Sequence, residues 1–227
     1  MKIAIFAALP QELKPIIKSL KAKPTGKNIN LYFAKQNQSE YILALTGVGI
    51  HNASKVVKHT VEEFHPELIM SIGFGGALYH GAKKGDVVMA SKVISIPSGH
   101  ILELEDSQLL DTKKGTFVTI EQWMTKSSVS KHIPPDTDYP VCEMETFPIA
   151  SYAIEKSINF VALRAITDLY TEEIPFAPSE VTDSSGHFSF IRSILLMIKK
   201  PWLILTMLHL MKSSKLAAQN LKNKLKK

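Results

Sequence analysis

Seven short runs decide which class of fold is open to this chain. They are Ile3–Leu9, Asn30–Ala34, Tyr41–Thr46, Leu68–Ile72, Asp86–Ala90, Thr116–Ile120 and Phe160–Ile166, each of strand length and most of them apolar nearly throughout. A strand with one wet face alternates apolar and polar residues, whereas a strand covered on both faces does not. Helical patterns lie between the runs, from Pro10 to about Leu20 with proline suited to a first turn, from Asn52 to Phe64, and from Glu145 to about Lys156. Such a sheet is covered by helices on both sides, so the expected fold is α/β, a single domain of three layers with a central mixed sheet flanked by helices. With 227 residues, 45% of them hydrophobic, the chain can bury one core of that kind.

Charge divides the chain in two. Nine of its 27 basic residues and none of its 21 acidic ones follow Asp183, so residues 1–183 carry 18 bases against 21 acids. A mildly acidic body with a basic tail does not fit a nucleic-acid binder, and no nucleic-acid partner is expected. The single cysteine, Cys142, forms no internal disulfide framework. The opening Lys2–Leu9 reads as a buried strand, not a secretion signal, because no small-residue cleavage site follows it. Both features set the expectation of a cytoplasmic protein.

The stretch from about Glu172 to Gly186, with Pro175, Pro178, Ser184 and Ser185, reads as a loop able to lie over a site. It separates a core of residues 1–187 from a C-terminal segment, 188–227. There Phe188–Ile198 and Trp202–Met211 are largely apolar, Lys199-Lys200-Pro201 interrupts them, and neither piece reaches the roughly 20 residues needed to span a bilayer. Beyond them Lys212, Lys215, Gln219, Lys222 and Lys226 form one helical stripe, with Leu210, Ala217, Leu221 and Leu225 opposite. Two readings stand: a helix packed on the core with a frayed basic end, or an interfacial helix in peripheral contact with anionic lipid on the inner face of a membrane.

Candidate chemistry gathers at strand ends. Three glycine-bearing turns are expected, at Thr46-Gly47-Val48-Gly49, at Gly73-Phe74-Gly75-Gly76 and at Gly85. Glu143-Met144-Glu145 precedes a helix, and Asp168 lies just past the strand Phe160–Ile166. Carboxylates at the carboxyl ends of sheet strands cost desolvation and are not needed for folding, and ligands bind at those ends. His51, His80, His100, His132 and His187 have no metal-ligand spacing, so neither metal nor cofactor is expected. Cys142 beside Glu143 reads as a small buried residue, and Glu103, Glu105 and Asp106 as a solvated face.

The segments MKIAIFAALPQEL, PELIMSIGFGGAL, VCEMETFPIA and VALRAITD resemble, in order and spacing, blocks of the methylthioadenosine/adenosylhomocysteine nucleosidases, within the nucleoside phosphorylase/nucleosidase superfamily. The C-terminal third is similar to the hopanoid-associated phosphorylase-like branch, which pairs a proline-containing loop with a basic, leucine-rich tail. The resemblance implies an enzyme that releases a purine base from ribose, with a nucleoside as its partner molecule and a homodimer as its assembly. It implies Asp168 as general acid toward the leaving base and Glu12 as the carboxylate that activates water. Glu145 would hold the ribose hydroxyls, Met144 would pack on the sugar with Glu143 nearby, and Phe74, Gly75 and Gly76 would line the site. Trp123 falls near the family's base-stacking aromatic, and reads equally as a core tryptophan.

Two nucleophiles, water and phosphate, serve this superfamily. A phosphate site favours an arginine clamp, and this chain has only Arg164, inside a strand, and Arg192, in the tail. Ser71 and Phe74 stand where related phosphorylases carry phosphate-binding residues, and Glu12 would repel phosphate. Hydrolysis of an adenine nucleoside is therefore the expectation, and the branch resemblance extends it to lipid-linked adenosylhopane. Phe74 replaces a small hydroxyl residue, which narrows or reshapes the pocket. The alternatives are a soluble methylthioadenosine/adenosylhomocysteine nucleosidase, a purine nucleoside phosphorylase, and a non-catalytic membrane-surface nucleoside-binding module.

Overall fold

The computed structural model describes residues 1–25, 28–105, 110–183, 186 and 189–225. Asp106, Ser184, Ser185, His187, Phe188 and Lys226 of the sequence reading lie outside the described residues.

The chain forms one mixed sheet flanked by helices. In chain order it runs β1 (Lys2–Ala7), α1 (Pro10–Leu20), β2 (Lys23–Thr25), β3 (Asn28–Gln36), β4 (Ser39–Leu45), α2 (Ile50–Phe64) and β5 (Leu68–Ala77). Then follow β6 (Val87–Ser95), β7 (Ile101–Glu103), β8 (Lys113–Thr119), α3 (Lys126–Ser130), β9 (Val141–Glu143), α4 (Thr146–Glu155) and β10 (Asn159–Asp168). A 3-10 turn at Pro178–Glu180 leads to α5 (Phe190–Lys199) and α6 (Leu203–Lys224).

Strand order is β10-β6-β8-β9-β5-β1-β4-β3-β2, and β10 also pairs with β5. That extra pairing closes β5, β10, β6, β8 and β9 into a ring, from which β1, β4, β3 and β2 extend as an open wing. Inside the ring pack Ala77, Val88, Phe117, Val141, Ala162 and Ile166. Strands β1, β4, β5 and β10 run parallel, as do β6, β8 and β9. The wing is covered on one side by α2 and α4 through Ala53, Val57, Ile149 and Ala153, and on the other by α1 and α6 through Leu13, Ile16, Ala217 and Leu221. Both faces of β1 are therefore dry, which is why Ile3, Ala4, Ile5 and Phe6 are all buried.

The structure corrects the sequence reading at several places. Gly73, Phe74, Gly75 and Gly76 are not a turn but the last part of β5, which continues five residues past Ile72. Only Gly47, Gly49 and Gly85 of the proposed glycine turns adopt positive φ, at 76°, 100° and 87°. Asp168 does not follow its strand but ends it, after a register shift between Ile166 and Asp168. The short β2, β7 and β9 carry too few residues to show a periodicity, and α3 has only five.

Candidate active site

The carboxyl ends of β1, β4, β5 and β10 lie together, and each delivers residues to one cavity of about 1100 Å³. Glu12, Phe74, Gly75, Gly76, Trp123, Glu143, Met144, Glu145 and Asp168 all line it. Every site residue named from the sequence thus borders the same space. Their surroundings differ sharply.

Glu12 sits in the first turn of α1, with Pro10 as the opening helical residue. Leu9 N–H donates to its Oε2 at 2.8 Å and Phe74 N–H to its Oε1 at 2.8 Å, so the helix start and strand β5 hold the carboxyl from two sides. It is buried, and burial pushes its carboxyl above the ordinary range against these donors and the pull of Arg164. Strand β5 must approach closely to do this. A Cβ at Gly73 would stand 2.9 Å from Glu12 Oε1, and one at Gly76 would stand 2.6 Å from Asp168 Oδ2. These glycines are required by contact, not by a turn.

Glu143 is wired into the core. Arg164 Nη2 donates to its Oε2 at 2.6 Å, and the hydroxyls of Thr119 and Thr146 donate to Oε1 and Oε2. The backbone N–H groups of Glu145 and Thr146 donate to Oε2 as well, at 3.0 and 2.7 Å. Burial alone would raise this carboxyl, but the guanidinium and the hydroxyls hold it below the usual range. Its acceptor capacity is spent on positioning the start of α4. Arg164 is consumed in the same cluster, donating also to Thr146 Oγ1, Ser71 Oγ and Leu163 O. No arginine occurs among the described residues that line the cavity.

Glu145, at the N-cap of α4, accepts one hydrogen bond from Gly49 N–H at 2.7 Å, where positive φ turns that amide. Burial, reinforced by the Glu143 charge, pushes its carboxyl up to about 8. Asp168 has a partner that sequence reasoning missed. Lys126, buried on α3, places Nζ 2.6 Å from Asp168 Oδ2 and also donates to Leu169 O. Thr167 Oγ1 donates to Asp168 Oδ1 at 2.8 Å. Nothing in Thr125-Lys126-Ser127-Ser128 distinguishes this lysine from an exposed one after a helix cap.

Trp123 is 39% exposed at the rim, not in the core. Met144 packs against Leu78, Val118, Ile120 and Val129 while bordering the cavity. Cys142 faces the same neighbourhood, and burial with the Glu143 charge raises its thiol, which makes it a poor nucleophile. Glu103 and Glu105 are exposed as expected. No group of histidine, cysteine and carboxylate able to hold a metal occurs among the described residues.

The cavity does not stop at the acids. It continues between α1 and the C-terminal helices, where Met197, Ile204, Met207, Leu210 and Met211 form an apolar wall. Its volume lies at the upper end of the roughly 300–1,000 Å³ of ordinary small-molecule sites. The cavity is thus lined by carboxylates at its deep end and by apolar side chains outward.

Comparison with known proteins agrees with this fold. A sequence profile described as the Phosphorylase superfamily matches residues 2–108 and 98–188. An aminodeoxyfutalosine nucleosidase of Campylobacter jejuni is 24% identical over 217 residues, covering 83% of this chain and 95% of that protein. A 5'-methylthioadenosine/S-adenosylhomocysteine nucleosidase of Buchnera aphidicola is 27% identical over 201 residues, covering 74% and 84%. The crystal structure of the Campylobacter jejuni 5'-methylthioadenosine/S-adenosylhomocysteine nucleosidase superposes with a TM-score of 0.70 at 20% identity, covering 99% of this chain and 98% of that one.

Proposed function

This chain belongs to the phosphorylase superfamily, and from that premise we propose that it hydrolyses the N-glycosidic bond of an adenine nucleoside and releases the base. The observation that carries the reading is the single cavity bordered by Glu12, Glu145 and Asp168, delivered by three different elements. Cleavage of this bond builds positive charge on the ribose and negative charge on the base. It needs a nucleophile at one face of C1', a hold on the sugar, and a proton or hydrogen bond for the leaving base.

Glu12 is the general base. Its raised carboxyl, fixed by the Leu9 and Phe74 amides, takes a proton from water as it attacks. Glu145 keeps its second oxygen for the ribose hydroxyls while Gly49 occupies the first. Asp168, with Lys126 behind it, faces the departing base, and the pair supplies the positive charge and the proton that the base acquires. Water is favoured over phosphate because Arg164 is tied to Glu143 and the carboxylate of Glu12 borders the cavity.

The names of the relatives suggest 5'-methylthioadenosine, S-adenosylhomocysteine and aminodeoxyfutalosine as substrates. The apolar extension and the resemblance of the tail to the hopanoid-associated branch favour a larger group at ribose C5', as in adenosylhopane. The test is release of free adenine from each of these four nucleosides, with and without phosphate. We expect release that is independent of phosphate, fastest with the lipid-linked nucleoside, and lowered about 10²–10⁴-fold in Glu12→Gln and Asp168→Asn. Strict dependence on phosphate would make the enzyme a phosphorylase. Equal or faster release from 5'-methylthioadenosine would remove the lipid-linked reading, and unimpaired turnover by both variants would remove the catalytic one.

A further inference from the structure

Helix α5 and the first half of α6 leave much of their apolar surface exposed to water. A surface helix normally turns its apolar stripe to the core and its polar face to solvent. On α5 the inward positions include Ser193 and Leu196, while Ile191, Leu195 and Ile198, at one-turn spacing, face outward. The ridge continues across the break at Lys200-Pro201 with Trp202, 69% exposed, and Leu205, also 69% exposed. Arg192, Lys199 and Lys212 of the same segment are exposed. No acidic residue follows Asp183 in the sequence.

We propose that this ridge is a docking surface for an anionic lipid bilayer, on which α5 and the first half of α6 lie in the plane of the headgroups. The apolar side chains enter the acyl boundary and the bases meet lipid phosphates, each worth roughly 1 kcal/mol near such a surface. Trp202 stands at the joint between the helices, the amphipathic ring type that settles at headgroup depth. The contact is peripheral, since no helix among the described residues is long and apolar enough to cross a membrane. Charge decides between a bilayer and a second copy of the chain. A two-fold contact through this face would set Arg192, Lys199 and Lys212 against the same bases of the other copy, with no acid in the segment to answer them. An anionic surface answers all of them.

Docking also has a consequence for the cavity. Its outer wall is the inner side of the same two helices, through Met197, Ile204 and Met207. The apolar end of the cavity then opens at the depth of the lipid. The docking proposal itself does not depend on which bond the cavity cleaves.

The experiment is co-sedimentation of the full chain with vesicles of phosphatidylcholine alone and of phosphatidylcholine mixed with phosphatidylglycerol. We expect at least about tenfold stronger binding to the anionic vesicles, declining with salt. The double variant Ile198→Ser, Leu205→Ser should lose that binding by about tenfold or more, with unchanged melting temperature and unchanged adenine release from soluble 5'-methylthioadenosine. Equal partitioning onto both vesicle types would overturn the proposal, as would a double variant that binds like the parent. A parent that is dimeric without lipid and a double variant that is monomeric would assign the ridge to a second copy instead. Vesicle binding without any base release would leave docking intact and remove only the hydrolytic reading.

Discussion

Glu143 and Glu145 stand two positions apart and are opposite in kind. Arg164 and two threonine hydroxyls hold Glu143 ionised, while Glu145 has one amide donor and a like charge beside it. Its carboxyl is pushed up to about 8, far above the ordinary value of 4.5. Between those two values the folded chain binds a proton that the unfolded chain does not. The stability linked to Glu145 is therefore complete below pH 4.5 and is lost as pH rises through 8. Glu145→Gln removes that loss. Its melting temperature should exceed the parent's at pH 9 by roughly 2–8 °C, for a gain of about 1–2 kcal/mol, and match the parent near pH 5. Scanning calorimetry at the two pH values checks this, and equal gains at both would refute the linkage. The acids are legible in the sequence because carboxylates at strand ends cost desolvation, although Glu143 turns out to hold the start of α4 in place. Their wiring is not. Thr119, Thr146, Thr167 and Lys126 belong to residue types that populate any surface, and only the fold brings them to the carboxylates.

At the level of the element, β5 shows what periodicity can and cannot tell. Its apolar start, Leu68–Ile72, was readable as a buried strand, and the glycines after it looked like a turn because glycine most often supplies one. The strand instead continues with side chains removed, and the neighbours fill the vacated space. Gly76→Ala tests this directly. The new Cβ would lie 2.6 Å from Asp168 Oδ2 and 3.2 Å from Lys126 Cε, both in a buried pair with little freedom to move. Overpacking of this kind costs about 1–3 kcal/mol. The displaced acid should lower adenine release about 100-fold, a typical effect of misplacing a reacting group by an ångström. Turnover assayed beside a melting curve separates the two, and normal turnover would mean that Asp168 does not need its present position.

Across the whole molecule the C-terminal segment divides differently from either expectation for it. The second half of α6 is core: Ala217 and Leu221 are buried beside Leu13 and Leu163, and Asn220 Nδ2 donates to Gly85 O at 2.8 Å. The first half and α5 present apolar side chains outward. One helix is thus packed on the core at one end and carries exposed apolar side chains such as Leu205 at the other. Leu221→Ala should cost about 2–5 kcal/mol and lower the melting temperature by roughly 5–20 °C. Leu205→Ala, at an exposed position of the same helix, should leave it within about 2 °C. Thermal denaturation of the two variants checks the division, and similar losses would show that the first half is packed too. The layered α/β class followed from the apolar runs, but the closure of β5, β10, β6, β8 and β9 did not, because pairing between strands distant in sequence leaves no local mark.

That closure limits how copies of the chain can stick together. A sheet joined to itself has few borders, and one that remains here is β2, three residues long with Pro24 at its centre. Such a border offers a poor template for backbone pairing, since proline donates no hydrogen bond and the strand ends almost at once. Strand-to-strand polymerisation along β2 is therefore disfavoured.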